Sequence, residues 1–499
     1  MVKVAEVSVG SNTIATNVSK LPEGNFNKAF LVAMQDGSEV VVKIPNPNSG
    51  RRHYTTASEA ATMTYVREEL KIPAPKVLAY CSRTEESKLG AEYLVMEKAS
   101  GIELSRVWDT LKPRKKIGIV KQLASFTSRL GNTRFPRLGS LYYREDIKDL
   151  EKFQIDGRFA IGPTAARSWF DNRRGEVETS RGPWETCIEL MDAVVQRELL
   201  CVKQFPNFPR DRQQGIFNGP GGYRPTKQAK ISVLQDYLKI APYILPENEE
   251  LRSGVMWHND LHVGNIFVDE TDNSTITSII DWQSVPIYPM FLHADHPPLI
   301  DYEGDKPDTF EPPELPPNIR DLPFQEKEAA KTLFIARSLW TTYEIETQKT
   351  CPALIQAFRQ RETLLGLLQG MIGSIFEEGE PHVQSLLADL SHSDNWKKIV
   401  GADAGGDPQI PCPLRYTDDE INLQQEEHAK WVRDVEIKAR MFEELGVYTG
   451  WNGAVPPEQY ESMLHRLKQA KQRFLEREAC NAEEREAWEK AWPFKDTES

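Results

Sequence analysis

The chain has 499 residues, too many for one compact core, so roughly two or three packed units are expected. Hydrophobic residues make up 39% and charged residues 27%, the composition of a globular protein. The formal net charge of -13 argues against a general nucleic-acid binder, which needs a basic face, and no apolar run is long enough to span a bilayer.

Six cysteines lie far apart and none forms C-x-x-C, which excludes a zinc ribbon or a thioredoxin-type motif and predicts free thiols in a reducing compartment. The opening MVKVAEVSVGSNTIATN lacks the basic and apolar regions of a signal peptide and is not Arg-rich. The reading is a reducing interior, cytoplasmic or mitochondrial, rather than secretion.

The first hundred residues read as a small sheet with one helix. FNKAFLVAM (26–34) and EVVVKIP (39–45) are β-branched and apolar, and Asp36-Gly37 between them predicts a hairpin. TTASEAATMTYVREEL (55–70) places Met63, Val66 and Leu70 on one helical face, with Thr56 or Ser58 as the predicted cap. IPAPKVLAYCS and EYLVMEKASG read as two further strands.

Helices and long loops follow. KKIGIVKQLASFTSRLGN is an amphipathic helix closed by Gly131. Residues 136–185 read as polar, Gly/Arg-rich loop within an insertion over about 136–250, which also holds helices from WETCIELMDAVVQRELLCVKQF and KISVLQDYLKIAPYIL. PPLIDYEGDKPDTFEPPELPPN is an extended connector, and the chain ends in RLKQAKQRFLEREACNAEEREAWEKAW, whose alternating charges predict an exposed helix.

The chemistry is concentrated in HNDLHVGN (258–265), followed by the apolar runs IFV and SII and by Asp281-Trp282. Phosphoryl transfer needs a carboxylate to orient and deprotonate an acceptor hydroxyl, and oxygen ligands for the magnesium ion on the nucleotide phosphates. Asp260 and Asn265 lie five apart on a predicted loop, and the predicted hairpin of IFV and SII returns the chain so that Asp281 faces Asn265.

HNDLHVGN…IDW resembles the H-G-D-L-H-x-G-N…I-D-W signature of the aminoglycoside phosphotransferase and choline-kinase-like families, with Asn259 in place of the usual Gly. The resemblance implies an α+β, protein-kinase-like two-lobed fold: a small β-rich N-lobe over 1–100 and a large, mainly helical C-lobe. That C-lobe has its core at 101–300 and a helical extension at 301–499. It implies an enzyme using ATP and Mg2+ on a small-molecule hydroxyl acceptor, with Asp260 as base, Asn265 and Asp281 as metal ligands, and His258 and His262 bracing the loop. Lys43, in VVVKIP, resembles the nucleotide-binding strand lysine of kinases, with Glu59 as its helix partner. PEGNFNKAF resembles the loop that covers the phosphates, placing Gly24, Asn25 and Phe26 there, although it lacks G-x-G-x-x-G. EYLVMEKASG resembles the hinge strand, where backbone groups of Met96, Glu97 and Ala99 meet the adenine edge.

GRFAIGPTAARSWF, RGPWET, PCPLRYTDDEI and WPFKD resemble a fungal subfamily that includes proteins named for altered inheritance of mitochondria. Two stretches stay open. His293, Asp295 and His296 read as a structural loop or a metal cluster, the loop being favoured. Arg158, Arg167, Arg173, Arg174 and Arg181 read as a solvated cap or as a site for an anionic acceptor or second phosphate. A catalytically silent kinase-like scaffold and a protein kinase are the competing readings. Asp281-Trp282-Gln283 in place of Asp-Phe-Gly speaks against the latter. The acceptor's identity, ATP against GTP, and the oligomeric state are not encoded in these motifs.

Overall fold

The computed structural model describes all residues except 11–12, 23, 149–151, 211–212, 308, 449–450, 452, 454, 456–458 and 495–499. Lys495 and Asp496 of the WPFKD ending therefore lie outside the described residues. The architecture is α+β, and the chain divides into two compact units. The first comprises 1–176, 180–190 and 246–363; the second comprises 177–179, 191–245 and 364–499.

The first unit opens with helix α1 (Val2–Val9) and an antiparallel five-stranded sheet. Its strands are β1 (Ala15–Lys20), β2 (Asn27–Met34), β3 (Glu39–Pro45), β4 (Val77–Cys81) and β5 (Tyr93–Glu97), in the order β1-β2-β3-β5-β4. The Asp36-Gly37 hairpin forms as the sequence predicts: Gly37 takes a positive φ of 85°, and Asp36 accepts the Ser38 N–H at 2.9 Å. β3 is central, so Val40, Val41, Val42 and Lys43 are all buried, apolar and charged side chains alike.

Helix α2 (Tyr54–Glu68) packs on this sheet, but its start differs from the sequence expectation. Thr56 and Ser58 lie buried inside the helix, and the residue before it, His53, makes no side-chain cap and has a φ of 67°. Glu92, remote in sequence, supplies the cap instead. Its carboxylate accepts the His53 N–H at 2.9 Å and the Thr56 hydroxyl at 2.7 Å. A carboxylate at a helix N-terminus is favoured by the orphan N–H groups and the helix dipole.

The stretch 136–185, read from sequence as loop, contains a second sheet. β7 (Ser140–Tyr143), β8 (Phe153–Gln154) and β9 (Phe159–Gly162) form it in the order β7-β9-β8, the two-residue β6 (Ile102–Glu103) preceding them in the chain. β7 runs against α2: the Tyr143 hydroxyl donates to Thr64 at 2.6 Å, and Arg158 reaches Glu68 at 2.7 Å. The loop after β7 reaches the first sheet, where the Tyr80 hydroxyl donates to Asp146 at 2.8 Å. Long-range packing of Tyr142, Phe159 and Ile161 overrides a Gly/Arg-rich composition that reads locally as coil.

The catalytic-motif segment builds two small ladders. β10 (Gly254–Met256) pairs with β13 (Ile287–Pro289), and β11 (Ile266–Val268) pairs with β12 (Ile276–Ile279) and with β6. Gly101 stands where the chain leaves β5 for β6. It has a φ of 91°, and a Cβ there would lie 2.2 Å from the Val268 carbonyl oxygen, so only glycine fits. Helix α3 (Pro113–Asn132) packs beside the helix Phe324–Thr350, and the Thr127 and Tyr343 hydroxyls are hydrogen-bonded at 2.9 Å.

The second unit is helical. The expected exposed C-terminal helix is in fact two, Tyr460–Glu478 and Ala482–Ala491, and each buries one face. Met463, Ala470, Phe474 and Trp488 join Met441 and Phe442 of the helix Asp418–Leu445 in one core. The charges alternate on the solvent side only, and the apolar residues recur at helical spacing among them.

Candidate active site

Lys43, Glu59, Asp281, Asn265 and Asp260 all belong to the first unit. Lys43 leaves β3 toward α2, and its ammonium donates to Glu59 Oε1 at 2.6 Å and to Asp281 Oδ1 at 2.9 Å. Burial alone would lower the Lys43 pKa. The carboxylates of Glu59 and Asp281 outweigh it and hold the ammonium above its ordinary value. Burial pushes the Glu59 carboxyl up and Lys43 pulls it back, and at 2.6 Å from a lysine held charged by two carboxylates the contact is an ion pair. Asp281 is held below the ordinary carboxylate value, chiefly by the Lys43 charge.

Asp281 reaches this point because the chain turns sharply after β12. Asp281 and Ser284 both have positive φ, 62° and 60°, a region in which Asp is enriched among non-glycine residues. Trp282 anchors the turn: it is fully buried, and its indole N–H donates to the Ile279 carbonyl at 2.9 Å.

Asp260 lies on the loop between β10 and β11. Asn265 is buried, and its amide N–H donates to the Asp260 carbonyl at 2.9 Å and to Asp260 Oδ2 at 3.2 Å. The Asn265 side-chain oxygen is thereby turned away from Asp260. His258 accepts the Asp260 N–H on Nδ1 at 3.2 Å, so its Nε2 carries the proton and donates to the Ile280 carbonyl at 2.9 Å. One imidazole thus links the Asp260 loop to the residue before Asp281, and burial holds its pKa low and the ring neutral. His262 Nδ1 accepts the Gly264 N–H at 2.9 Å, while Nε2 stands 3.6 Å from Asp260 Oδ2. That interaction lowers the Asp260 pKa and raises that of His262.

The segments carrying Asn265 and Asp281 are joined by the Ile280 N–H, which donates to the Asn265 main-chain carbonyl at 3.0 Å, and the two side chains offer hard oxygen donors, an amide oxygen and a carboxylate. Magnesium characteristically takes one or two carboxylate-type ligands from protein and completes its shell with phosphate and water, so the donor set fits that ion. Among the described residues no group of three or more His, Cys, Asp or Glu side chains is placed to hold a metal. His293, Asp295 and His296 each have other partners. His296 stacks on Trp340 with ring centroids 3.9 Å apart, Asp295 meets Arg361 at 3.1 Å, and His293 is buried beside Tyr288.

The other sequence candidates are placed as follows. Gly24 and Asn25 are exposed at the turn between β1 and β2, and Phe26 lies under the guanidinium of Arg167, 3.7 Å from its ring centroid. Met96 and Glu97 end β5. The Glu97 N–H is committed to the Lys76 carbonyl at 2.9 Å, and Ala99 follows the last contact with β3, Lys98 N–H to the Glu39 carbonyl. Sequence reasoning missed Gln283, Asn27 and Ser49, although Gln283 directly follows Asp281-Trp282. Of the arginine stretch, Arg167 is the member brought to the β1–β2 turn; it also pairs with Asp171 at 3.0 Å.

Residues 17–180 match the model of the phosphotransferase enzyme family, APH. This stretch of the chain is similar to that family. The match ends before His258. A subtelomeric hrmA-associated cluster protein of Aspergillus fumigatus is 27% identical over 97% of this chain and 97% of its own length. Altered inheritance of mitochondria protein 9, mitochondrial, of Yarrowia lipolytica is 24% identical over 86% of this chain and 74% of its own length. Among solved structures, a putative fructosamine-3-kinase from Thermobifida fusca aligns with 12% identity and a TM-score of 0.38, covering 78% of this chain and 97% of its own. The ADP-bound aminoglycoside phosphotransferase APH(2'')-Ib aligns with 13% identity and a TM-score of 0.37, covering 75% and 92%.

Proposed function

We propose that this chain is a magnesium-dependent kinase that transfers the γ-phosphoryl group of ATP to a hydroxyl of a small molecule. The observation that supports the reading is the convergence of Lys43 and Asp281, 238 positions apart in sequence, in a turn that His258 ties through the Ile280 carbonyl to the separate loop holding Asp260 and Asn265. In this reading Asp260, ionised at neutral pH, orients the acceptor hydroxyl and takes its proton as the phosphoryl group is transferred. Lys43, fixed by Glu59, contacts the nucleotide phosphates. Asn265 and Asp281 hold magnesium, which when bound neutralises charge on those phosphates. Gly24, Asn25 and Phe26 cover the phosphates, and the backbone of Met96, Glu97 and Ala99 meets the adenine. His258 and His262 hold Asp260 in place.

The test is transfer of labelled γ-phosphate to a panel of hydroxylated small molecules by the wild type and Asp260→Asn. Transfer to at least one acceptor, lost in the variant while ATP binding persists, supports the reading. ATP binding with no transfer to any acceptor would make the chain a binding module instead. For the compartment, the name of the Yarrowia relative favours the mitochondrion over the cytoplasm. Fractionation of cells expressing the full-length protein decides between them.

A further inference from the structure

The turn between β1 and β2 is tied to the Asp281 loop by a side chain that the catalytic motif does not include. Gln283 Oε1 accepts the Asn27 side-chain N–H at 2.6 Å, and Gln283 Nε2 donates to the Ser49 carbonyl at 3.1 Å. Asn27 is the first residue of β2, directly after Phe26, and Ser49 is a buried residue of the β3–α2 loop. The same two segments are bonded to each other: the Asn46 N–H donates to the Phe26 carbonyl at 2.8 Å, and the Asn48 amide to the Asn25 carbonyl at 3.3 Å. One amide thus uses both its acceptor and its donor to hold the start of β2 and the β3–α2 loop against a turn whose backbone is already fixed by the positive φ of Asp281 and Ser284. Gln283 itself is only half-buried, so these contacts, rather than packing, specify its identity.

We infer that Gln283 is a positioning residue that latches residues 25–27, where the chain enters β2, to the Asp281 turn, with Asn27 as its partner; its effect on nucleotide rests on the function proposed above. The geometry requires an amide. A carboxylate at 283 keeps the Asn27 contact, loses the donor to Ser49 and brings negative charge beside Asp281. An aspartate at 27 faces the Gln283 oxygen with no donor. A net hydrogen bond is worth about one kcal/mol, so each broken contact shifts the latch equilibrium by about fivefold.

The experiment is hydrogen exchange by mass spectrometry on the nucleotide-free protein, with ATP–magnesium affinity by calorimetry. The proteins are the wild type, Asn27→Ala, Gln283→Ala and the double variant. Exchange over residues 24–34 and 46–49 is expected to accelerate about fivefold or more in each single variant, to rise less than the product in the double, and to stay unchanged in β11 and β12. ATP affinity is expected to weaken by a similar factor with the melting temperature held. Unchanged exchange in Gln283→Ala, or strictly multiplicative effects in the double variant, would overturn the latch. If the wild type bound no ATP while the exchange pattern held, the latch would stand and the proposed function would fall. If exchange accelerated while ATP affinity held, the turn would be latched for a reason other than nucleotide, and the positioning role would fall.

Discussion

Lys43 and Glu59 are 9% and 5% exposed and sit 2.6 Å apart, whereas Asp260 keeps 61% of its side chain open to solvent and rests on Asn265 and the half-exposed His262. The two sides of the site are thus built on different principles. The lysine side is an internal ion pair, placed by a central strand and a helix whose far face is gripped by Tyr143 and Arg158. Buried charges tolerate no missing partner, so this side is structural whatever it binds. The aspartate side is a surface loop in which hydrogen bonds leave one carboxylate open to solvent. His258 is the bridge, since its two nitrogens bond the Asp260 loop and the strand leading to Asp281.

The contrast breaks first, and most widely, under substitution of Asp260, the proposed base. Asp260→Asn is expected to lower turnover by about 10²–10⁴-fold, the usual contribution of a positioned base, while the urea midpoint moves little because the side chain is exposed. Lys43→Met should do the reverse in kind. It leaves Glu59 buried without its cation and is expected to cost about 3–5 kcal/mol of stability, read from urea denaturation. Lys43→Met with Glu59→Leu should recover much of that loss without restoring nucleotide binding. Full recovery of binding in the double variant would refute the role given to Lys43.

The smallest effect is a shift in pH. His262 is the chief cause that lowers the Asp260 pKa, so His262→Ala should let it rise toward the ordinary carboxylate value. The acid limb of the kcat/KM profile then moves to higher pH, with the neutral plateau retained. The stability that Asp260 and Asp281 contribute runs in the same direction. Both have lowered folded-state pKa values, so it is complete above the ordinary carboxylate value and lost as pH falls through the lowered ones. An acid limb that does not move in His262→Ala would show that the ring does not act on Asp260.

What could be read from the sequence follows how far apart the partners lie. The Asp36-Gly37 hairpin and the β11–β12 return are local events, and His258, Asp260, Asn265 and Asp281 fall within 24 residues of one another. Lys43 and Glu59 are separated by 16 positions, within reach of a strand and the next helix. The Glu92 cap of α2 lies 39 positions from His53, and the Asn27–Gln283 contact spans 256. No local pattern encodes such pairs. The sheet of β7, β8 and β9 was hidden for a different reason: its strands are two to four residues long, and their partners, not their composition, make them extended.

The central claim is that Lys43, Asn265 and Asp281 form a magnesium–nucleotide site. Thermal melting of the wild type and Asp281→Ala, with ATP alone, with ATP and magnesium, and with neither, tests it most directly, because a ligand that binds only the folded chain raises the melting temperature by mass action. The account predicts a magnesium-dependent rise in the wild type that disappears in the variant. No rise with millimolar nucleotide and magnesium, or an equal rise in both proteins, would contradict it.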